Sequence, residues 1–91
     1  MSKVVLITGA SSGIGLETAV YLANKKFIVY GCARRLEKMN PIKKAGGFIL
    51  KLDITLEKDI NKAVNYVIQK EKKIDVLWNN AGFGLWGAVE D

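Results

Sequence analysis

Residues 4–15 read Val4-Val5-Leu6-Ile7-Thr8-Gly9-Ala10-Ser11-Ser12-Gly13-Ile14-Gly15, and this stretch decides the fold. Val4 to Ile7 is an unbroken apolar run rich in β-branched residues, the pattern of a strand covered on both faces in a parallel sheet. Thr8 to Gly15 is a run of small residues holding Gly9, Gly13 and Gly15, which marks a tight turn. A helix is predicted next, over Ile14 to Asn24. Ile14, Ala19, Leu22 and Ala23 are expected to share its apolar face, with Leu16 and Val20 beside them. Lys25 and Lys26 stand at its end, where cations suit the helix dipole.

A strand, a glycine turn and a helix in that order form an anion site. Backbone N–H groups are left free at the helix N-terminus, where the dipole is positive, and a pyrophosphate suits them. Gly9 allows the tight turn, Gly13 lets backbone approach the phosphates, and Gly15 lets the helix pack closely on the sheet. A P-loop would carry a lysine before Ser or Thr at the end of the turn. Gly13-Ile14-Gly15 has none, which argues against a nucleotide triphosphatase. A glycine turn with no ligand is the plainer alternative, and the position between strand and helix weighs against it.

Working outward, Phe27 to Ala33 is a second apolar run, broken by Gly31 and ended by Arg34-Arg35. Leu36 to Ala45 is expected to form a short second helix, interrupted by Pro41 and stopped by Gly46-Gly47. Phe48 to Leu52 is the third strand and runs into Asp53-Ile54-Thr55. The strongest helical signal spans Leu56 to about Lys72, where Leu56, Ile60, Ala63, Val64, Val67 and Ile68 form one apolar stripe and Thr55 is a natural N-cap. Ile74 to Trp78 is the fourth strand, followed by Asn79-Asn80-Ala81-Gly82. The order βαβαβαβ with short connections predicts an α/β fold with a parallel sheet and helices on both faces. Right-handed crossovers make it a half Rossmann fold with strand order 3-2-1-4.

At 91 residues there is room for one small domain. The net charge of +5 comes from lysines scattered along the chain, at Lys25-Lys26, Lys43-Lys44 and Lys70 to Lys73. No basic stripe is interleaved with aromatics, so nucleic acid is not an expected partner. There is no histidine, and Cys32 is the single cysteine, so neither an internal disulfide nor a zinc site is expected. Cys32 lies in an apolar run and is predicted to be a core residue. The apolar run after Met1-Ser2-Lys3 is too short for a signal peptide or a membrane span, so a cytoplasmic protein without a membrane partner is expected.

The spacing Thr8-Gly9-x-x-x-Gly13-x-Gly15 resembles the Thr-Gly-x-x-x-Gly-x-Gly turn of the short-chain dehydrogenase/reductase family. Two further features match in order: Asp53 after the third strand, and Asn79-Asn80-Ala81-Gly82 after the fourth. The resemblance covers the whole chain. It implies a dinucleotide site made of Gly9, Ser11, Ser12, Gly13, Ile14 and Gly15 in the turn, Arg34 and Arg35 after the second strand, Asp53 and Ile54 after the third, and Asn80, Ala81 and Gly82 after the fourth. In that family the aspartate hydrogen-bonds the adenine amino group, the asparagine ties central strands together, and the Ala-Gly backbone approaches the cofactor ribose. The plainer alternatives are Asp53 as a cap of the following helix and Asn79-Asn80 as a polar turn.

The end of the second strand bears on the choice of cofactor. An acidic residue about 20 positions past the glycines would hold the 2′-hydroxyl of NAD, and the resemblance places Ala33 there. Arg34 follows, in the slot where a basic residue marks NADP preference in the family, and a guanidinium pairs bidentately with phosphate. Ser12 stands at the other position where NADP enzymes of the family often carry a basic residue. The competing reading of Arg34-Arg35 is a solvated turn. NADP is the expected cofactor.

The family's reaction is hydride transfer between the nicotinamide and a carbonyl or alcohol, using a tyrosine, a lysine four positions later (Tyr-x-x-x-Lys), an upstream serine and a further asparagine. The acid/base role falls to the tyrosine, its pKa lowered by the lysine and the cofactor charge. Tyr21, Tyr30 and Tyr66 are the tyrosines present; Lys25 and Lys70 stand four positions after Tyr21 and Tyr66, but both pairs precede Asn79-Asn80-Ala81-Gly82, whereas the resemblance places the catalytic tyrosine and lysine after it. No catalytic residue carries over. The expectation is therefore that residues 1–91 are a truncated NADP-binding Rossmann domain lacking the C-terminal catalytic half, inactive alone. A standalone dinucleotide- or partner-binding module, or one half of a two-chain enzyme, are the alternatives. A fourth strand with nothing on its far side would be an exposed edge, so a homo-oligomer is expected, through that edge.

Overall fold

The computed structural model describes residues 2–11, 13–52, 57–79 and 84–86. Five strands, β1 (Val4–Thr8), β2 (Ile28–Ala33), β3 (Phe48–Lys51), β4 (Val76–Asn79) and β5 (Gly84–Trp86), form one sheet in the order β3-β2-β1-β4-β5. The first four are parallel, as the alternation of apolar runs and helices predicts. Among the described residues three α-helices accompany them: α1 (Gly13–Asn24), α2 (Asn40–Lys44) and α3 (Glu57–Glu71).

The period-2 alternation of β1 and β2 separates two cores. Val5, Ile7, Val29 and Ala33 belong to one, with Ala19 and Ala23 of α1 and Met39 and Ile42 around α2. Val4, Leu6, Tyr30 and Cys32 belong to the other, with Ala63 and Val67 of α3, Ile74 and Leu77. Helices thus cover both faces, and β1 is buried along its whole length. Cys32 is fully buried, and that burial pushes its thiol up to about 12, so it is a core residue and not a reactive one.

Three expectations need correction. The fourth strand is not a bare edge, because β5 pairs with it antiparallel in the register Leu77↔Trp86, Trp78↔Leu85 and Asn79↔Gly84. The backbone groups of β4 on that side are engaged, so association through an open β4 edge loses its basis. The helix over Leu36 to Ala45 is two pieces, a 3₁₀ turn over Leu36–Met39 and then α2. Pro41 lies in the first turn of α2, where its missing N–H costs no helical bond. Ile14 does not join the buried face of α1. It is 67% exposed, and the small residues Gly15, Ala19 and Ala23 face the sheet instead.

Helix ends follow known chemistry with one departure. Gly46, at φ +99°, ends α2 with Gly46 N–H on the Lys43 carbonyl and Gly47 N–H on the Ile42 carbonyl. This Schellman pattern suits glycine. The same pattern closes α1, where Phe27 N–H reaches the Leu22 carbonyl and Lys26 N–H the Ala23 carbonyl. There the left-handed residue is Lys26, at φ +73°.

Candidate dinucleotide site

The site lies at the carboxyl ends of the parallel strands. Strand register aligns Leu50, Cys32, Thr8 and Asn79 across β3, β2, β1 and β4. The chain leaves β1 toward β2 on one side, while β4 lies on the other. β1 is therefore a topological switch point, where open α/β sheets form their ligand crevice.

The glycine turn is held over this crevice. Thr8 is fully buried, and Gly9 takes φ +67° to turn the chain out of the sheet. Ala10, also fully buried, donates its N–H to the Cys32 carbonyl at 3.2 Å, tying the turn to the end of β2. Ser11 is half-buried. Gly13 opens α1 at φ +60°, and a Cβ placed there would meet no atom within 4 Å. Open space over an exposed glycine at a helix N-terminus is what close approach of a phosphate requires. The first turn of α1 carries no acidic residue to repel an anion. Ile14 points out at the same end, and Gly15 is buried against the sheet.

Ala33 is buried at the end of β2, and Arg34 and Arg35 follow it exposed. No ion pair among the described residues engages either arginine. Arg35 is extended and leads into the 3₁₀ turn, accepting the Lys38 N–H at 3.3 Å. β3 ends beside them, with Leu52 N–H donated to the Ala33 carbonyl at 3.0 Å. The structure thus brings the turn and Arg34-Arg35 to one edge. Ser12, Asp53, Ile54, Asn80, Ala81 and Gly82 lie outside the described residues. Two residues beside the site escaped sequence reasoning. Ala10 anchors the turn through backbone alone, which leaves no sequence signal. Lys51 is exposed at the end of β3 in register with Ala33; its signal was a lysine ending an apolar run, next to Leu52.

A family model described as short chain dehydrogenase matches residues 3–91. A 3-ketodihydrosphingosine reductase of Bacteroides thetaiotaomicron is 39% identical over 89 residues, which are 97% of this chain and 31% of that protein. Among solved structures, actinorhodin polyketide ketoreductase with NADPH superposes with a TM-score of 0.76 at 35% identity, over 87% of this chain and 33% of the other. An NADH-dependent reductase complexed with NAD superposes with a TM-score of 0.71 at 29% identity, over 86% of this chain and 35% of the other. The chain spans about a third of the length of most of the curated relatives it matches. No described helix is long and apolar enough to cross a membrane, and the described residues hold no cluster of metal-ligating side chains.

Proposed function

This chain belongs to the short-chain dehydrogenase family, and we propose that it is the part of an NADP(H)-dependent oxidoreductase that holds the adenosine and pyrophosphate portions of the cofactor. The family's solved structures with NADPH and with NAD support a nicotinamide dinucleotide. The observation that carries the choice of NADP(H) is the end of β2. Ala33 leaves no carboxylate to repel a 2′-phosphate, and Arg34 follows at once, exposed and beside the glycine turn. A guanidinium in that place offers a planar pair of donors to a phosphate.

When bound, the nicotinamide would supply hydride chemistry to a carbonyl or alcohol substrate. This chain's residues would bind and orient the other end. Gly13 would admit the pyrophosphate to the N–H groups of α1, and Gly9 would shape the turn. Asp53 would meet the adenine, with Asn80, Ala81 and Gly82 near the ribose. Tyr21 and Tyr66 have a lysine four positions on, Lys25 and Lys70, but Tyr21 lies toward the far end of α1 and Tyr66 within α3, not at the carboxyl ends of the parallel strands, so the chain by itself is expected to bind cofactor without turning over substrate.

Titration of the purified chain with NADPH and NADH, followed by calorimetry, tests the reading. NADPH is expected to bind more tightly, and Arg34→Asp is expected to move the preference toward NADH. Equal affinities, or a preference indifferent to Arg34→Asp, would overturn the NADP assignment. Steady reduction of a carbonyl compound by the pure chain would overturn the expectation of inactivity.

A further inference from the structure

We infer that Lys51, on the neighbouring strand β3, is a specificity residue for the 2′-phosphate, acting together with Arg34. The inference rests on the proposed NADP(H) site and adds to it a residue remote in sequence from the glycine turn and from Arg34.

Register carries the argument. Ala33 and Lys51 are paired partners on adjacent parallel strands. Residues paired in this way put their side chains on the same face of a sheet, with strands about 4.8 Å apart. Ala33 is the position at which a carboxylate would select the unphosphorylated ribose. In its place is a methyl group, and across from it stands an exposed ammonium on a flexible four-carbon stem. The Leu52 N–H bond to the Ala33 carbonyl, at 3.0 Å, locks the two strand ends together at this level. Lys51 therefore has a set position along the crevice edge, although its side chain is solvated.

Charge agrees with register. Arg34, Arg35 and Lys38 are exposed on the connection that leaves β2, and Glu37 is the acidic residue among them. Lys51 enters no ion pair among the described residues. The strand ends thus present cations from two separate segments to one place, and a dianionic phosphate ester suits that arrangement better than a ribose hydroxyl does.

The test is binding and needs no turnover. NADPH, NADH and the fragments adenosine 2′,5′-bisphosphate and 5′-AMP are titrated into wild type, Lys51→Gln, Lys51→Arg and Arg34→Gln. Lys51→Gln is expected to weaken NADPH and adenosine 2′,5′-bisphosphate about fivefold to tenfold. NADH and 5′-AMP should be unaffected, and Lys51→Arg should restore the loss. NADPH affinity unchanged in Lys51→Gln but reduced in Arg34→Gln would overturn the role of Lys51 and leave the cofactor reading standing. Equal loss of NADPH and NADH in Lys51→Gln would also overturn it, since the lysine would then not read the 2′-phosphate. A wild type that does not prefer NADPH, with neither variant changing its affinities, would overturn the cofactor reading and this inference with it.

Discussion

The Tyr30 hydroxyl donates a hydrogen bond to Glu71 Oε2 at 2.7 Å, joining the middle of β2 to the last residue of α3 across 41 positions of sequence. Tyr30 is 3% exposed, its ring stacked on Phe48 with centroids 4.8 Å apart and met edge-on by Tyr66. Burial first, then the bond to Glu71, holds the phenol proton well above its ordinary range. Tyr30→Phe keeps the stack and removes the bond. A hydrogen bond to a charged acceptor contributes about 1.5–3 kcal/mol, and Glu71 remains partly open to water, so the low end applies. A fall in melting temperature of several degrees is expected. No change in the thermal midpoint would show that the bond adds nothing.

A second tether controls the acid limb of stability. The Asp75 carboxylate accepts the Val4 N–H at 2.7 Å and the Lys73 ammonium at 3.0 Å, joining the start of β1 to the approach to β4. The Val4 bond first, then Lys73, lowers its pKa below the ordinary carboxylate range. A carboxylate whose pKa is depressed by folding stabilises the fold above its unfolded pKa of about 3.9. That contribution is lost as pH falls through the folded value. Asp75→Asn should therefore melt lower than wild type at neutral pH, and the gap should close as the solution is acidified below about pH 4. A gap independent of pH would refute this origin.

Packing at Gly31 sets how closely α2 approaches the sheet. A Cβ there would lie 2.7 Å from Ile42 Cδ1 and 3.2 Å from Ala10 Cβ, and both neighbours are fully buried. Gly31→Ala is expected to destabilise the fold by about 1–3 kcal/mol through overpacking. Ile42→Val deletes the atom in closest conflict, so the double variant should lose less than the sum of the two single changes. Strict additivity in denaturant melts would rule out this contact as the cause.

Gly13 separates binding from stability. Its φ of +60° makes any side chain strained, while the space beside it is open. Gly13→Ala should cost about 1 kcal/mol in stability but reduce dinucleotide affinity by more than tenfold, because the new methyl occupies the approach to the helix N-terminus. Unaltered NADPH affinity would place the pyrophosphate elsewhere.

Local sequence determined the strand-turn-helix unit from Val4 to Asn24, the burial of β2 with Cys32 inside it, the stripe of α3 and the parallel order 3-2-1-4. Each of these rests on a periodicity or a glycine spacing confined to a few neighbouring residues. Tertiary structure alone decided the rest. Gly84–Trp86 pairs with β4 because β4 leaves backbone groups open on that side, which no local pattern records. Ile14 is exposed because α1 meets the sheet through Gly15, Ala19 and Ala23, a contact set by the glycine turn before it. Lys51 stands beside Ala33, and Glu71 beneath Tyr30, through strand register and helix docking. Such pairings join residues tens of positions apart, and they exist only once the chain has closed on itself.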